Sequence, residues 1–166
     1  MEDKTKIKLV PLSVKRINDY FYWFNDKEVC RYLLPTTPKT KKKIKEWIIK
    51  TIKDKLCVYY SIFLIKEKKH LGHIGLKKIN SIKKQAEIGV VIGEKKYWRK
   101  GIGTTAYFLL LRKIKKLGLK KIFARVNKNN IASINFFSKL GFKRLDKKDG
   151  DSLIFVFKIT ATYSHI

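Results

Sequence analysis

The residues best placed to do chemistry in this chain are backbone groups and the charges around them, in the segment Tyr97-Trp98-Arg99-Lys100-Gly101-Ile102-Gly103-Thr104-Thr105-Ala106. It stands where a run of strand-like sequence gives way to helix-like sequence. A helix start leaves about four N–H groups without partners, and its aligned peptide dipoles make that end partly positive. Two glycines spaced G-x-G let the backbone approach a bulky anion without a Cβ in the way, and Arg99 and Lys100 add full positive charge. This combination is a pyrophosphate cradle. It is not a P-loop, because the longer Gly-to-Gly-Lys spacing is missing, and a Rossmann turn would need a third glycine near Ala106. A second chemical signal is Glu87, a carboxylate inside the otherwise apolar run Gln85 to Ile92, where its desolvation calls for an explanation. The competing readings are a loop running into a helix for the first segment, and a carboxylate paired with a nearby cation for the second.

These residues need elements to hold them. Lys6 to Leu12 alternates as a strand, and Ser13 caps a helix reaching Phe24, with Ile17, Tyr20, Phe21 and Phe24 on one face. Asn25-Asp26 breaks it before a short helical piece with Val29, Tyr32 and Leu33. Thr37-Pro38 predicts the opening of a third helix to about Lys55, with Ile44, Trp47, Ile48 and Ile52 as its apolar stripe and Lys41 to Lys43 as a solvated face. Strands are expected over Cys57 to Lys66, Leu71 to Ile79 and Gln85 to Ile92. A loop from Gly93 to Gly101 leads into a helix from Ile102 to Leu117, stopped by Gly118. Lys121 to Val126 is a further strand and Asn130 to Leu140 a further helix. Phe142 to Leu145 and Leu153 to Ile159 close as a hairpin at Asp149-Gly150. The order β-α-α-β-β-β-α-β-α-β-β implies one mixed α/β domain over residues 1–166.

Composition sets the outer bounds. At 166 residues, 45% hydrophobic and 13% aromatic, the chain is long enough for one domain with a real core. It has no run of ~18 apolar residues that would span a membrane. Met1 to Val10 carries no apolar signal core, and two cysteines, Cys30 and Cys57, do not make a disulfide or metal framework. A cytoplasmic location and no metal are the expectations. The net charge of +27 is extreme. It suits an anionic partner, whether phosphates, a nucleotide-linked substrate or RNA. Yet 34 of the 40 basic residues are Lys, which is what codon drift in an AT-rich genome produces, and only six are the Arg that favours bidentate phosphate recognition. His70 and His73 flank Gly72; exposed or half-buried strand positions are the expectation, a catalytic histidine the alternative.

Three stretches together resemble one family. They are Trp23-Phe24-Asn25-Asp26-Lys27-Glu28-Val29; Ala86-Glu87-Ile88-Gly89 leading into Tyr97–Ala106; and Asn130-Ile131-Ala132-Ser133 leading into Lys139-Leu140-Gly141-Phe142. In this order and spacing they resemble the GCN5-related N-acetyltransferases (GNAT), and more narrowly a branch containing RimJ, RimL and several amino-sugar acetyltransferases. Trp98 stands where the wider family has Gln or Arg, a departure expected of that branch. The resemblance implies a mostly antiparallel mixed sheet flanked by helices, with the strands around Gln85–Ile92 and Lys121–Val126 splayed apart. It implies acetyl-CoA as cosubstrate, its pyrophosphate held by backbone amides of Arg99, Lys100, Gly101, Ile102, Gly103 and Thr104. The pantetheine arm would pair with Val90 and Val91, whose N–H groups would polarise the acetyl carbonyl. Asn130, and less directly Ser133, would bond that arm.

An acceptor amine must be neutral to attack. Deprotonating a lysine-like ammonium at pH 7 costs about 4–5 kcal/mol, an α-amine only about 1. Glu87, acting through a water, is the candidate base; orienting the acceptor or pairing with a cation is the alternative. Where many members carry a Tyr that protonates the leaving thiolate, this chain has Phe137, which would pack on the coenzyme arm or the core. Trp23, Asn25 and Asp26, with Trp47, are the candidate acceptor lining, core packing being the alternative for the Trp residues and a helix cap that for Asp26. The acceptor is then an amine on a small molecule, a nucleotide-linked amino sugar being preferred because basic surface suits its diphosphate. The alternatives are the N-terminal amine of a ribosomal or other protein, and non-catalytic RNA binding on the same fold. A monomer or homodimer is expected.

Overall fold

The computed structural model describes residues 6–160. Met1 to Thr5 and the last six residues, which the single-domain reading includes, lie outside the described residues. One seven-stranded sheet, in the order β1-β2-β3-β4-β5-β7-β6, organises the chain. Its strands are β1 (Ile7–Pro11), β2 (Val58–Leu64), β3 (Lys69–Asn80), β4 (Gln85–Ile92), β5 (Lys121–Asn127), β6 (Lys143–Asp149) and β7 (Ser152–Lys158). The helices are α1 (Ile17–Asn25), α2 (Lys27–Cys30), α3 (Lys41–Lys53), α4 (Ile102–Ile114) and α5 (Ile131–Lys139). Among the described residues β4–β5 is parallel and the other strand pairs are antiparallel. This is the expected single-domain mixed sheet flanked by helices.

Two cores cover the two faces of the sheet. On one, alternate residues of β4 (Ala86, Ile88, Val90, Ile92) pack with Ile102, Ala106, Tyr107 and Leu110 of α4 and with Phe137 and Phe142. On the other, Tyr20, Trp23 and Phe24 of α1 and Ile44 and Ile48 of α3 gather with Tyr59 and Val91. The 2-residue period of a strand divides β4 this way: Glu87, Gly89 and Val91 face α1 and α3.

Local chemistry moved some boundaries. Thr40, not Thr37, caps α3, its hydroxyl accepting from Lys43 N–H at 3.3 Å. Thr37 instead closes a turn by donating to the Leu34 carbonyl at 2.6 Å, leaving Pro38 outside the helix. Ile52 is 57% exposed, so the α3 stripe ends a turn early. Ser13 caps a short 3-10 turn, Val14–Arg16, before α1 begins. The strand predicted over Phe142 to Leu145 starts and ends later, at Lys143–Asp149, and pairs across Asp149↔Ser152 as the hairpin requires. His70 and His73 are buried (4% and 6% exposed), not surface residues. They pack in the aromatic cluster under α1, and His70 Nδ1 meets Asp19 Oδ2 at 2.9 Å. Burial pushes the His73 imidazole down to about 3, so it is neutral. Cys30 and Cys57 are both free and half-buried.

Candidate active site

The parallel ladder between β4 and β5 stops early. Gln85 pairs with Lys121, Ala86 with Ile122, Glu87 with Phe123 and Ile88 with Ala124; Gly89 to Ile92 have no partner on β5. The two central strands therefore part beyond Ile88, as the family resemblance implies.

Register decides which groups line the opening. Gly93 N–H donates to the Leu71 carbonyl at 2.8 Å while Ile92 pairs with Gly72. Because backbone groups alternate between strand edges, those of Val91 point into the β3 ladder and those of Val90 and Ile92 toward β5. Consistently, the Val91 carbonyl oxygen lies 2.0 Å from where a Cβ on Gly72 would stand. The expectation that Val90 and Val91 both present N–H groups is thus corrected: Val90 presents its N–H and C=O to the opening, and Val91 offers only its side chain, on the α1/α3 face. The Ile92 carbonyl is already taken, accepting the Trp98 indole N–H at 2.7 Å. Trp98 thereby ties the loop before α4 to the end of β4.

That loop delivers the anion site. Arg99 and Gly101 both have positive φ (59° and 77°), and Gly101 caps α4 without any side-chain hydrogen bond. The first loop-to-helix backbone bond runs from Thr105 N–H to the Gly101 carbonyl (3.0 Å). Ile102, Gly103 and Thr104 precede it, and their N–H groups have no intrahelical acceptor. The glycines divide the work. A Cβ on Gly101 would meet nothing within 4 Å, so this residue serves the left-handed turn and the open approach. A Cβ on Gly103 would stand 3.0 Å from Phe136, so that glycine makes room for α5. Arg99, Lys100 and Thr104 are exposed, whereas the side chain of Ile102 is core and only its amide faces the turn.

The residues predicted to line an acceptor pocket do something else. Trp23 is 5% exposed and lies flat against Gly93, where a Cβ would come within 2.0 Å of the indole; its Nε1–H donates to Glu94 Oε1 at 3.2 Å. Asn25 Nδ2 donates to the carbonyls of Phe21 (2.8 Å) and Lys39 (3.0 Å). Asp26 caps α2 through Glu28 N–H and Val29 N–H and pairs with Lys95 at 2.8 Å. The Lys95 hydrogen bond, with the cap behind it, holds the Asp26 carboxyl below its ordinary value. This corner braces the loop that carries the phosphate turn.

On α5, Asn130 Oδ1 accepts from Ser133 N–H (3.1 Å), which spends that oxygen on the cap and leaves the amide nitrogen as a donor. Phe137 is 4% exposed and packs on Phe142 (5.0 Å) inside the core, away from the turn; its neighbour Phe136 is the one beside Gly103.

Glu87 sits on the last paired rungs before the strands part. Its carboxylate meets Lys78 Nζ at 2.8 Å, Lys77 Nζ at 3.1 Å and Arg125 Nε at 4.0 Å. Burial pushes this carboxyl up, but the Lys78 hydrogen bond and the Lys77 charge outweigh it, and the net shift is downward. It is a firmly ionised carboxylate pinning β3, β4 and β5 at the apex of the opening.

One residue that sequence reasoning missed lies beside it. Tyr59 of β2 crosses two glycines that are register partners, Gly75 and Gly89. Its Cγ stands 2.5 Å from the position a Cβ on Gly75 would take, and its hydroxyl 2.6 Å from that on Gly89. The available signal was small: a glycine at a strand centre marks close approach of something else, but which residue approaches depends on register.

Beyond the end of β5 a cleft of about 370 Å³ is lined by Lys128, Arg144, Gly150, Asp151, Ser152 and Leu153. Among the described residues no cluster of His, Cys, Asp and Glu could hold a metal ion, and no helix is long and apolar enough to cross a membrane.

Known proteins share this architecture. A crystal structure of a domain from Methanocaldococcus jannaschii superposes with a TM-score of 0.80 at 25% identity, covering 93% of this chain and 99% of that one. A spermidine N-acetyltransferase from Vibrio cholerae, in complex with CoA and spermine, has a TM-score of 0.79 at 18% identity, covering 95% of this chain and 98% of that one, and shows the fold. In sequence, an uncharacterized protein of M. jannaschii is 38% identical over 87 residues, 52% of this chain. The match spans only 18% of that curated relative's length. Residues 6–143 match the model of the acetyltransferase (GNAT) domain, and the chain belongs to the GNAT acetyltransferase family.

Proposed function

We propose that this chain transfers an acetyl group from acetyl-CoA to a primary amine on an anionic small molecule, a nucleotide-linked amino sugar being the preferred case. The observation that carries the transfer reading is the parting of β4 from β5 after Ile88 and Ala124, adjacent to a helix start whose amides are uncapped. A diphosphate fits at the amides of Ile102, Gly103 and Thr104, with Arg99 and Lys100 alongside. An extended arm running from there into the opening pairs with Val90, whose N–H can donate to the acetyl oxygen as negative charge develops on it. The Asn130 amide serves as a further donor to the arm. Glu87 keeps the apex closed and holds Lys77, Lys78 and Arg125 in place; direct base work is the lesser part of its role, because a depressed carboxyl accepts a proton poorly.

Charge supports the acceptor class. The Vibrio neighbour's complex contains spermine, but a polycation approaching a molecule of net charge +27 is repelled, whereas a phosphorylated amine is drawn in. In the cleft beyond β5 Lys128 is paired with Asp151, which leaves Arg144 as the basic group that lines it. A second reading, favoured by the same charge and by resemblance to the RimJ/RimL branch, is acetylation of a protein N-terminus on or near the ribosome. Non-catalytic RNA binding is weaker, since it leaves the opening between strands unused. A cytoplasmic location and a monomer or homodimer of one domain accompany these readings. Calorimetric titration with acetyl-CoA tests the first step; absence of micromolar affinity overturns the enzyme reading. Release of free CoA against nucleotide-linked amino sugars, spermidine and N-terminal peptides then selects the acceptor, and turnover with spermidine alone overturns the anionic class.

A further inference from the structure

The Tyr59 side chain is laid across the sheet in an unusual way for a strand residue. From β2 it passes over β3 at Gly75 and ends over β4 at Gly89, its Cγ and hydroxyl 2.5 and 2.6 Å from the positions of the two absent Cβ atoms. Neighbouring strands are ~4.8 Å apart, so the long axis of the ring runs across the strands and points from β2 toward β5. Gly89 is the first residue of β4 without a partner on β5. The hydroxyl therefore arrives at the point where the strands separate, on the face opposite α4. It has no hydrogen-bond partner among the described residues. The Tyr59 ring packs in the same cluster as Val91, its centroid 5.8 Å from that of the His73 ring, and the phenol feels the charge of Glu87. Burial first, and then the charges of Cys57 and Glu87, push the Tyr59 phenol well above its ordinary value, so it stays protonated. Glu87 is locked by three cations and His73 is neutral, with its Nδ1 buried and unpartnered.

Acetyl transfer must take a proton from nitrogen and give one to sulfur, two atoms attached to the same carbon. We propose that the Tyr59 hydroxyl is the proton shuttle of this step. The acceptor nitrogen attacks the acetyl carbon and the C–N bond forms. As the C–S bond breaks, Tyr59 gives its proton to the sulfur and receives the one lost by nitrogen. The products are an amide and a free thiol, and the phenol is unchanged. A group that neither ionises nor titrates near neutral pH is suited to this exchange, because it passes a proton on without releasing it. The two glycines exist in this account to let the ring lie flat and reach the opening.

This inference rests on the acetyl-transfer reading, and the test separates the two. CoA release is measured with acetyl-CoA and a nucleotide-linked amino sugar for wild type, Tyr59→Phe and Gly89→Ala, alongside calorimetric affinity for CoA. Tyr59→Phe removes only the hydroxyl; the expected result is a kcat about 100-fold lower, with CoA affinity and thermal midpoint unchanged. Gly89→Ala keeps the phenol but puts a methyl where its oxygen lies, and the same fall in kcat is expected with CoA still bound. A Tyr59→Phe protein that keeps kcat within threefold of wild type overturns the shuttle alone. A wild-type protein without transfer overturns the parent reading and this one with it.

Discussion

At the scale of single residues, the carboxylate of Glu87 shows how a chemical suspect can turn out to be a fastener. Its oxygens contact Lys77 on β3, Lys78 and, at 4.0 Å, Arg125 on β5, while its own strand is β4. Replacing it by Gln leaves those cations facing one another without a counter-charge. A destabilisation of about 1–3 kcal/mol is expected at neutral pH. The sign with pH follows from the downward shift of its carboxyl. A carboxyl depressed in the folded state contributes stability that is present above its unfolded value and is lost as pH falls through the folded one. Urea unfolding of wild type and Glu87→Gln should therefore differ at pH 7 and converge in acid, below the ordinary carboxylate range. A constant difference across that range would mean that the loss comes from packing and not from charge.

Among the secondary elements, the split in the sheet is a matter of which amides lack partners, and amide exchange reads it directly. Val91 N–H belongs to the β3 ladder, whereas Val90 N–H faces the opening. Without coenzyme, Val90 should exchange at least ~10-fold faster than Val91; with saturating acetyl-CoA, Val90 should slow and Val91 should not change. Equal protection of both in the free protein would mean that the strands close. The strand bounds Gln85–Ile92 and the turn around Gly101 and Gly103 were legible in local signals, namely helix starts, glycine spacing and strand periodicity; the parting itself came only from the resemblance to the family. The edge assignment of Val90 against Val91 was not legible, since a single residue of register exchanges the two and register is set by β3. Tyr59 escaped for the same reason. Its meaning lies in Gly75 and Gly89, 14 positions apart in the chain and opposite one another in the sheet. Trp23, Asn25 and Asp26 read as a binding corner because the resemblance puts acceptor specificity in the first helices. In the fold their polar atoms are consumed by Glu94, by two carbonyls and by a helix cap.

For the molecule as a whole, the dominant physical fact is the field of a +27 chain. Exposed charges act over a Debye length of about 10 Å at 0.1 M salt, shrinking to about 3 Å at 1 M. In the proposed reading the amides at the start of α4 hold a diphosphate at contact distance and are screened little, whereas Arg99, Lys100 and Arg144 act at longer range through solvent. Raising salt from about 0.05 to 0.5 M should therefore lower kcat/KM for an anionic acceptor by about 10-fold or more through slower association. A neutral amine of the same size should lose less than about twofold. A polycationic acceptor such as spermidine should gain, because screening relieves its repulsion. The three slopes, measured at saturating acetyl-CoA so that coenzyme binding does not enter, distinguish a functional field from a compositional one. Codon drift alone would scatter lysines evenly and attract any anion, yet it would give no preference for the anion that also carries the amine. If phosphate-bearing amines and simple anions compete equally at low salt, with no difference in the salt slope of transfer, the basic surface is a property of the composition and the acceptor is chosen by shape at Tyr59 and the β6–β7 hairpin.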